Sequence, residues 1–251
     1  MNFESFSSGS SLLHRLDVRV KLLAGLALIV VIALCRSFPT ATAGLVIAIT
    51  LVVTAQLELT KVLKRLALVN TFVVFLWITL PLSYPGTSAF TIGPLDFSRE
   101  GIVVASLITI KTNATILVLI SLLATSSVAA LGHGLAHLKI PVKLCLLLLF
   151  SYRYIFVIHQ EYQRLVRAAR LRCFKAGTNM HTYRTTGYLF AMTLIKSHHR
   201  ADRVRQAMVL RGFQGQFHTI HQSTIGRREI CFLLVVLTLV TGLISLGLIN
   251  I

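Results

Sequence analysis

The sequence predicts an all-α, polytopic membrane protein with about five transmembrane helices and a basic, cytoplasmic helical module inserted before the last of them. Three observations predict it. The 251 residues are 55% hydrophobic and only 13% charged, well below the charged share of about a quarter in soluble domains, and the mean hydropathy is +0.78. Apolar runs recur that approach the ~20 residues a helix needs to cross a hydrocarbon core of ~30 Å. The charge is lopsided, 25 Lys and Arg against 8 Asp and Glu, and its placement alternates along the chain as the positive-inside rule requires.

The candidate spans are Val20–Cys35, Ala41–Leu57, Leu66–Leu82, Ile102–Leu131, Val142–Ile158 and Glu229–Asn250. The N-terminal segment carries Arg15, Arg19 and Lys21 and reads as cytoplasmic. It is polar, and the apolar run after it is long enough to span, so no cleavable signal peptide is expected. Phe38-Pro39 breaks the first span from the second, and that connection holds only Arg36. The next holds Lys61, Lys64 and Arg65; the long Ser83–Gly101 stretch, with its Pro and Gly, reads as a loop and holds only Arg99. Lys139 follows the fourth span. The chain thus runs in, out, in, out, in.

If Val142–Ile158 also crossed, the 13 Lys and Arg between Gln160 and Arg228 would lie outside, against the rule. This segment is therefore expected not to cross. Glu229–Asn250 then crosses last, with the C-terminus outside. The expected domains are a four-helix membrane region over 1–131, a coupling module with two long helices over 132–228, and a terminal transmembrane helix over 229–251. Six spans with an external N-terminus is the alternative topology.

Pro141 suits the first turn of a helix, and neither Pro nor Gly follows until Gly177. One helix of about 33 residues, roughly 50 Å long, fits Pro141–Phe174. Its first half is apolar all round. In its second half Ile158, Tyr162, Leu165 and Ala169 share a face. Arg164, Arg167 and Arg170 track the other side, and Glu161 sits three residues before Arg164, within pairing reach. A second helix begins near Thr182 or Thr185 and stops at Gly212 and Gly215.

The two helices end alike. "AARLRCF" (Ala168–Phe174) and "AMVLRGF" (Ala207–Phe213) share Ala-x-x-x-Arg-small-Phe. Ala168 and Ala207 stand four residues before Arg172 and Arg211, on the same face. Each tip is thereby slim enough to enter a groove while its Arg reaches outward. A planar guanidinium suits carboxylates there better than a Lys ammonium would.

Other patterns carry less. His133 and His137 are spaced i,i+4, and His198-His199 and His218/His221 add two pairs. None gathers the four ligands of a closed metal site within a few positions, so no metal and no cofactor is expected. Cys35, Cys145, Cys173 and Cys231 lack CxxC spacing and read as reduced, small packing residues. Lys111 lies inside the fourth span, where a charge needs a partner or a cavity. No Walker A, HExxH or GxSxG pattern occurs, which argues against an enzyme. The absence of carboxylates from the spans argues against proton-driven transport.

Three stretches carry a resemblance. "LLHRLDVRVKLL" (Leu12–Leu23), "YRYIFVIHQEYQRLVRAARLRCF" (Tyr152–Phe174) and "RADRVRQAMVLRGFQGQFHTI" (Arg200–Ile220) are similar to signatures of the T component of energy-coupling-factor transporters of the cobalt/nickel type (CbiQ or NikQ). Val18 stands where that family usually has Pro. The resemblance implies a non-catalytic subunit of a bacterial plasma membrane importer of cobalt or nickel. Its partners would be two copies of an ABC ATPase subunit and a metal-binding membrane S component of CbiM or NikM type. It also implies that Leu171-Arg172-Cys173 and Leu210-Arg211-Gly212 dock in ATPase grooves. Glu161, Ala168, Phe174, Ala207 and Phe213 would support the two helices. Leu171 and Cys173 depart from the Ala or Gly that commonly flank this Arg. Lipid contact by Arg164, Arg167 and Arg170 is compatible with docking; nucleic acid is not an expected partner. The alternative from another class is a basic membrane anchor that binds anionic lipid or nucleic acid.

Overall fold

A computed structural model describes residues 9, 11–35, 37–85, 87–92, 95–138, 140–215 and 226–249. Arg36, Lys139, His218 and His221 lie outside the described residues. The chain forms two compact units, one of Met1–Gly134 with Ser223–Ile251 and one of Leu135–Gln222.

The first unit is a helical bundle. A single turn, α1 (Leu12–Arg15), precedes α2 (Val18–Leu34), α3 (Phe38–Thr54) and α4 (Leu59–Ser83). After a short hairpin come α5 (Arg99–Val118), which continues as a π-helical turn over Leu119–Leu123, then α6 (Val128–His137). The bundle is completed by α9 (Arg227–Ile249). The starts follow from local chemistry. The Asp17 carboxylate accepts the Arg19 N–H at 3.0 Å and opens α2. Pro39 sits in the first turn of α3, where its missing N–H costs nothing. The Ser98 hydroxyl accepts the Gly101 N–H at 3.0 Å and opens α5.

The core mixes alanines with larger aliphatic residues. Ala24, Leu28 and Ile32 of α2 meet Ala48, Leu51 and Val52 of α3, its cap Ala55, and Ala114, Leu117 and Val118 of α5 in one buried cluster. The alanines let helix backbones approach closely where lipid supplies no hydrophobic drive. Large apolar side chains point outward instead, among them Leu68, Phe72, Phe75 and Ile78 of α4, as a lipid-facing surface allows. α4, α5 with its π turn, α7 (Val142–Leu171) and α9 are long and apolar enough to cross a membrane, and α3 is a shorter apolar helix. The protein is thus an all-α, multi-pass membrane protein.

Four local features differ from the sequence reading. The expected loop Ser83–Gly101 contains an antiparallel pair, β1 (Ser88–Ile92) and β2 (Leu95–Ser98); strands this short leave too little alternation to read. The hairpin returns the chain tightly: a Cβ at Gly101 would lie 2.6 Å from Pro81 Cα. The expected fourth span Ile102–Leu131 stops early, with the π turn ending at Leu123 and α6 starting at Val128. Thr125 donates to the Ser121 and Leu122 carbonyls, and Ser127 Oγ accepts the Ala130 N–H at 3.2 Å. These hydroxyls compete for the backbone and restart the helix. Lys21, read from the sequence as a tail charge, is 1% exposed and donates to Ser126 Oγ at 3.1 Å. Lys111 finds its partner within the bundle, donating to the Ala33 carbonyl at 3.1 Å. That carbonyl belongs to the last turn of α2, where helix carbonyls lack partners and a cation is favoured.

The second unit is a helical hairpin of α7 and α8 (Met180–Leu210), joined by Arg172–Asn179. α7 has Pro141 as its N-cap and is 30 residues long; α8 is 31.

Candidate functional site

The repeated heptad is first of all a helix stop. In α7 the C-cap is Arg172, and the next residue, Cys173, takes the left-handed conformation at φ +61°. In α8 the C-cap is Arg211, followed by Gly212 at φ +73°. The Phe174 N–H donates to the Ala169 carbonyl at 3.1 Å and the Cys173 N–H to Arg170 at 3.0 Å. Phe213 donates to Met208 and Gly212 to Val209, each at 3.0 Å. Both ends are therefore Schellman motifs with the same bonds in the same register. Arg, the small residue and Phe occupy the cap and the two positions after it. Glycine suits this position, because a left-handed backbone disfavours a Cβ, and Cys173 adopts it while carrying one. The sequence marks Gly212 as a helix stop, and the structure gives Cys173 the same part.

Each stop presents the same surface. Leu171 is 87% and Leu210 88% exposed, and Arg172, Arg211, Ala168 and Ala207 are exposed beside them. Phe174 and Phe213 are half-buried and hold the turn. Among the described residues neither Arg172 nor Arg211 has an ion pair or side-chain hydrogen bond. The second unit has two acidic residues, Glu161 and Asp202, and neither serves a tip.

The hairpin keeps the two tips apart. α8 begins beside the first tip: the Gly177 N–H donates to Thr182 Oγ1 at 3.1 Å, and the Phe174 and His181 rings lie 6.3 Å apart. α8 then runs back along α7. Tyr162 stacks on Phe190 at 5.1 Å, Glu161 meets Lys196, and Phe150 and Tyr154 share a cleft of about 690 Å³ with Met208, Arg211 and Phe213. With 31 residues in α8 and ~1.5 Å per residue, the tips stand on the order of 45 Å apart. A short connection followed by a long helix leaves no other course. The tips therefore sit at opposite ends of the unit.

Glu161 lies at the crossing, beyond the apolar half of α7. Its Oε1 accepts from Lys196 Nζ at 2.8 Å. Its Oε2 is 3.5 Å from Arg164 Nη1 and 3.9 Å from Arg200 Nη2. The Lys196 hydrogen bond holds the carboxyl below its ordinary value of 4.5, with partial desolvation opposing and the charges of Lys196, Arg164 and Arg200 assisting. Spacing predicted the Arg164 pair. The contacts with Lys196 and Arg200 cross between helices and leave no periodic signal, although Glu161 is one of only two acids in a basic region.

Among the described residues no group of three or more His, Cys, Asp or Glu could hold a metal ion. His198 approaches Asp202 at 3.5 Å, one turn apart. All four cysteines are free; Cys145 is buried, Cys35 intermediate, and Cys173 and Cys231 exposed.

The family model described as "Cobalt transport protein" (CbiQ) matches residues 9–221. The energy-coupling factor transporter transmembrane protein EcfT of Thermosediminibacter oceani is 24% identical over 217 residues, 82% of either chain. EcfT 1 of Listeria monocytogenes is 27% identical over 230 residues, 84% of this chain and 83% of its own. The cobalt transport protein CbiQ of Rhodobacter capsulatus is 26% identical over 174 residues, 67% of this chain and 70% of its own. With a family match over most of its length and relatives aligned along the bundle and the hairpin, the chain belongs to the CbiQ family of energy-coupling-factor transmembrane (T) components.

Proposed function

We propose that this chain is the transducing subunit of a metal importer, and that Arg172 and Arg211 plug it into two ATPase subunits. The observation that carries this reading is the pair of exposed Arg caps, unpaired among the described residues and held on the order of 45 Å apart by one hairpin. Two like sockets at a fixed spacing are what a pair of identical ATPase subunits presents. The sockets are acidic, to match a guanidinium that lacks a carboxylate of its own. The chain itself catalyses nothing. ATP closes the pair, the sockets move, and the hairpin passes that movement to a membrane S component. Exposed apolar residues on both helices, including Leu144, Leu147, Tyr188 and Leu194, support a seat for that partner. Cobalt, with nickel second, is the substrate, in line with the printed name of the Rhodobacter relative.

In this reading the N-terminus is cytoplasmic and the C-terminus outside, in a bacterial plasma membrane. Five helices cross, α2, α3, α4, α5 with its π turn, and α9, while α7 does not. The charge count supports this, because the second unit carries its Lys and Arg on both helices. The domains are the membrane region 1–131, the module 132–228 and the last helix 229–251.

The test is mild-detergent purification followed by uptake of labelled cobalt or nickel ion. Wild type brings down ATPase and S component at fixed stoichiometry. The Arg172→Ala/Arg211→Ala chain inserts in the membrane but loses the ATPases and uptake. Wild-type uptake and complex yield in that double variant would falsify the assignment. Salt-sensitive binding to liposomes or nucleic acid without an ATPase would favour the anchor reading instead.

A further inference from the structure

We propose that Glu161 is the positioning residue that fixes the angle between α7 and α8, and hence the direction each tip faces relative to the other. The consequence for uptake rests on the transducer reading above; the consequence for the angle does not.

Glu161 is the single carboxylate at the crossing and is met by cations from both helices. Lys196 and Arg200 stand one turn apart on α8 and approach its two oxygens at 2.8 and 3.9 Å. Arg164 approaches from its own helix at 3.5 Å. The side chain is 15% exposed, while Lys196, Arg200 and Arg164 keep 44%, 40% and 64% exposure. The carboxylate is thus the shielded member, and the cations close over it from the wet side. Next to it the Tyr162 and Phe190 rings stack at 16°. The stack alone can slide. The carboxylate adds direction, because its two oxygens are held from different positions on α8.

The charge pattern makes the residue hard to replace. Asp202, the other acid of this unit, faces His198. Without Glu161, Lys196, Arg200 and Arg164 would confront one another with nothing between them. Like charges at such distances repel in water by an amount comparable to what a salt bridge gains. Removing the carboxylate therefore replaces a clamp by a repulsion at the pivot. A small rotation there is magnified along arms that reach roughly 20 Å to either end.

The experiment uses the full chain in nanodiscs, with its cysteines replaced (Cys173 by Gly, the others by Ala). Spin labels go on Lys143→Cys and Gln214→Cys, exposed positions at the start of α7 and just past the end of α8, whose separation follows the angle between the helices. The parent chain gives one narrow distance distribution. Glu161→Gln broadens or shifts it, and uptake by the reconstituted complex falls severalfold while ATPase subunits still co-purify. Glu161→Lys combined with Lys196→Glu returns a carboxylate to the crossing and restores the narrow distribution. A Glu161→Gln distribution that overlays the parent overturns the proposal, as does a charge-swapped chain as broad as Glu161→Gln. If the distances respond as expected but the complex contains no ATPase, the transducer reading fails and the positioning role stands.

Discussion

At the first tip the left-handed residue is Cys173; at the second it is Gly212. The hydrogen bonds around them are the same, and so are the exposed Leu and Arg that precede them. The surroundings differ. Phe174 leans toward His181 at the start of α8. Phe213 lines clefts shared with Phe150, Tyr154 and Met208 of the hairpin's other end. One tip is held by its own connection and the other by the body of α7. Like plugs are thus mounted differently, and the non-glycine sits where the mounting is lighter. A Cβ in that conformation costs about 1 kcal/mol. The first tip is the more strained and the more easily frayed of the two.

The largest break in the comparison comes from the arginines. Arg172→Ala and Arg211→Ala are each expected to weaken ATPase binding by about 2 kcal/mol or more, roughly 30-fold per tip. Titration of purified ATPase onto the nanodisc-held chain measures it. Equal losses would mean equivalent sockets; a larger loss for Arg211 would show that the firmer mount contributes more. Next come the leucines. Leu171→Ala and Leu210→Ala should leave the melting temperature unchanged, since both side chains already face solvent. If docking desolvates them, each lowers affinity by about tenfold, in keeping with ~1.5 kcal/mol for burying such a chain. Smaller effects should follow from the caps, and with opposite signs. Gly212→Ala destabilises the second stop by about 1 kcal/mol and Cys173→Gly stabilises the first by up to that amount. Hydrogen exchange at the Phe213 and Phe174 amides, which donate the closing bonds, reads each change directly.

The smallest expected effect is on pH. Glu161 has its carboxyl lowered by Lys196, so its contribution is present above the ordinary carboxylate value. It is lost as pH falls through the depressed value. The angle between α7 and α8 should hold constant across neutral and mildly acidic pH and relax only in strong acid. The Lys143/Gln214 label pair reports it, and an angle that changes near neutrality would contradict the carboxylate's part.

Much of this was legible because membranes and helices write periodic and compositional signals. The apolar runs marked α2, α3 and α9 to within three residues, missed the first two turns of α4 and overran the end of the π turn, and the repeated heptads marked both helix ends. What the sequence hid was placement between distant positions. Lys21 looked like a tail charge until the Ser126 turn closed over it. Lys111 wanted a partner, and the partner was a carbonyl at a helix end, which no residue type announces. The break after Leu123 was written in Thr125, Ser126 and Ser127 but lost inside a long apolar run. Gly212 announced a helix stop, but Cys173 did not, and its backbone part appears only once its φ is known.

The course of α8 also constrains how such a chain can change over generations. The helix starts at one cap and finishes at the other, so its residue count is a ruler between two contacts. Losing one residue would shorten that ruler by ~1.5 Å and roll the far cap by ~100° about the axis. Length changes should therefore be purged from 180–210 yet tolerated in the stretch past Phe213, even while the exposed letters of α8 outside the crossing and the tip drift freely. A gap-free α8 among otherwise divergent relatives would be the trace such a ruler leaves.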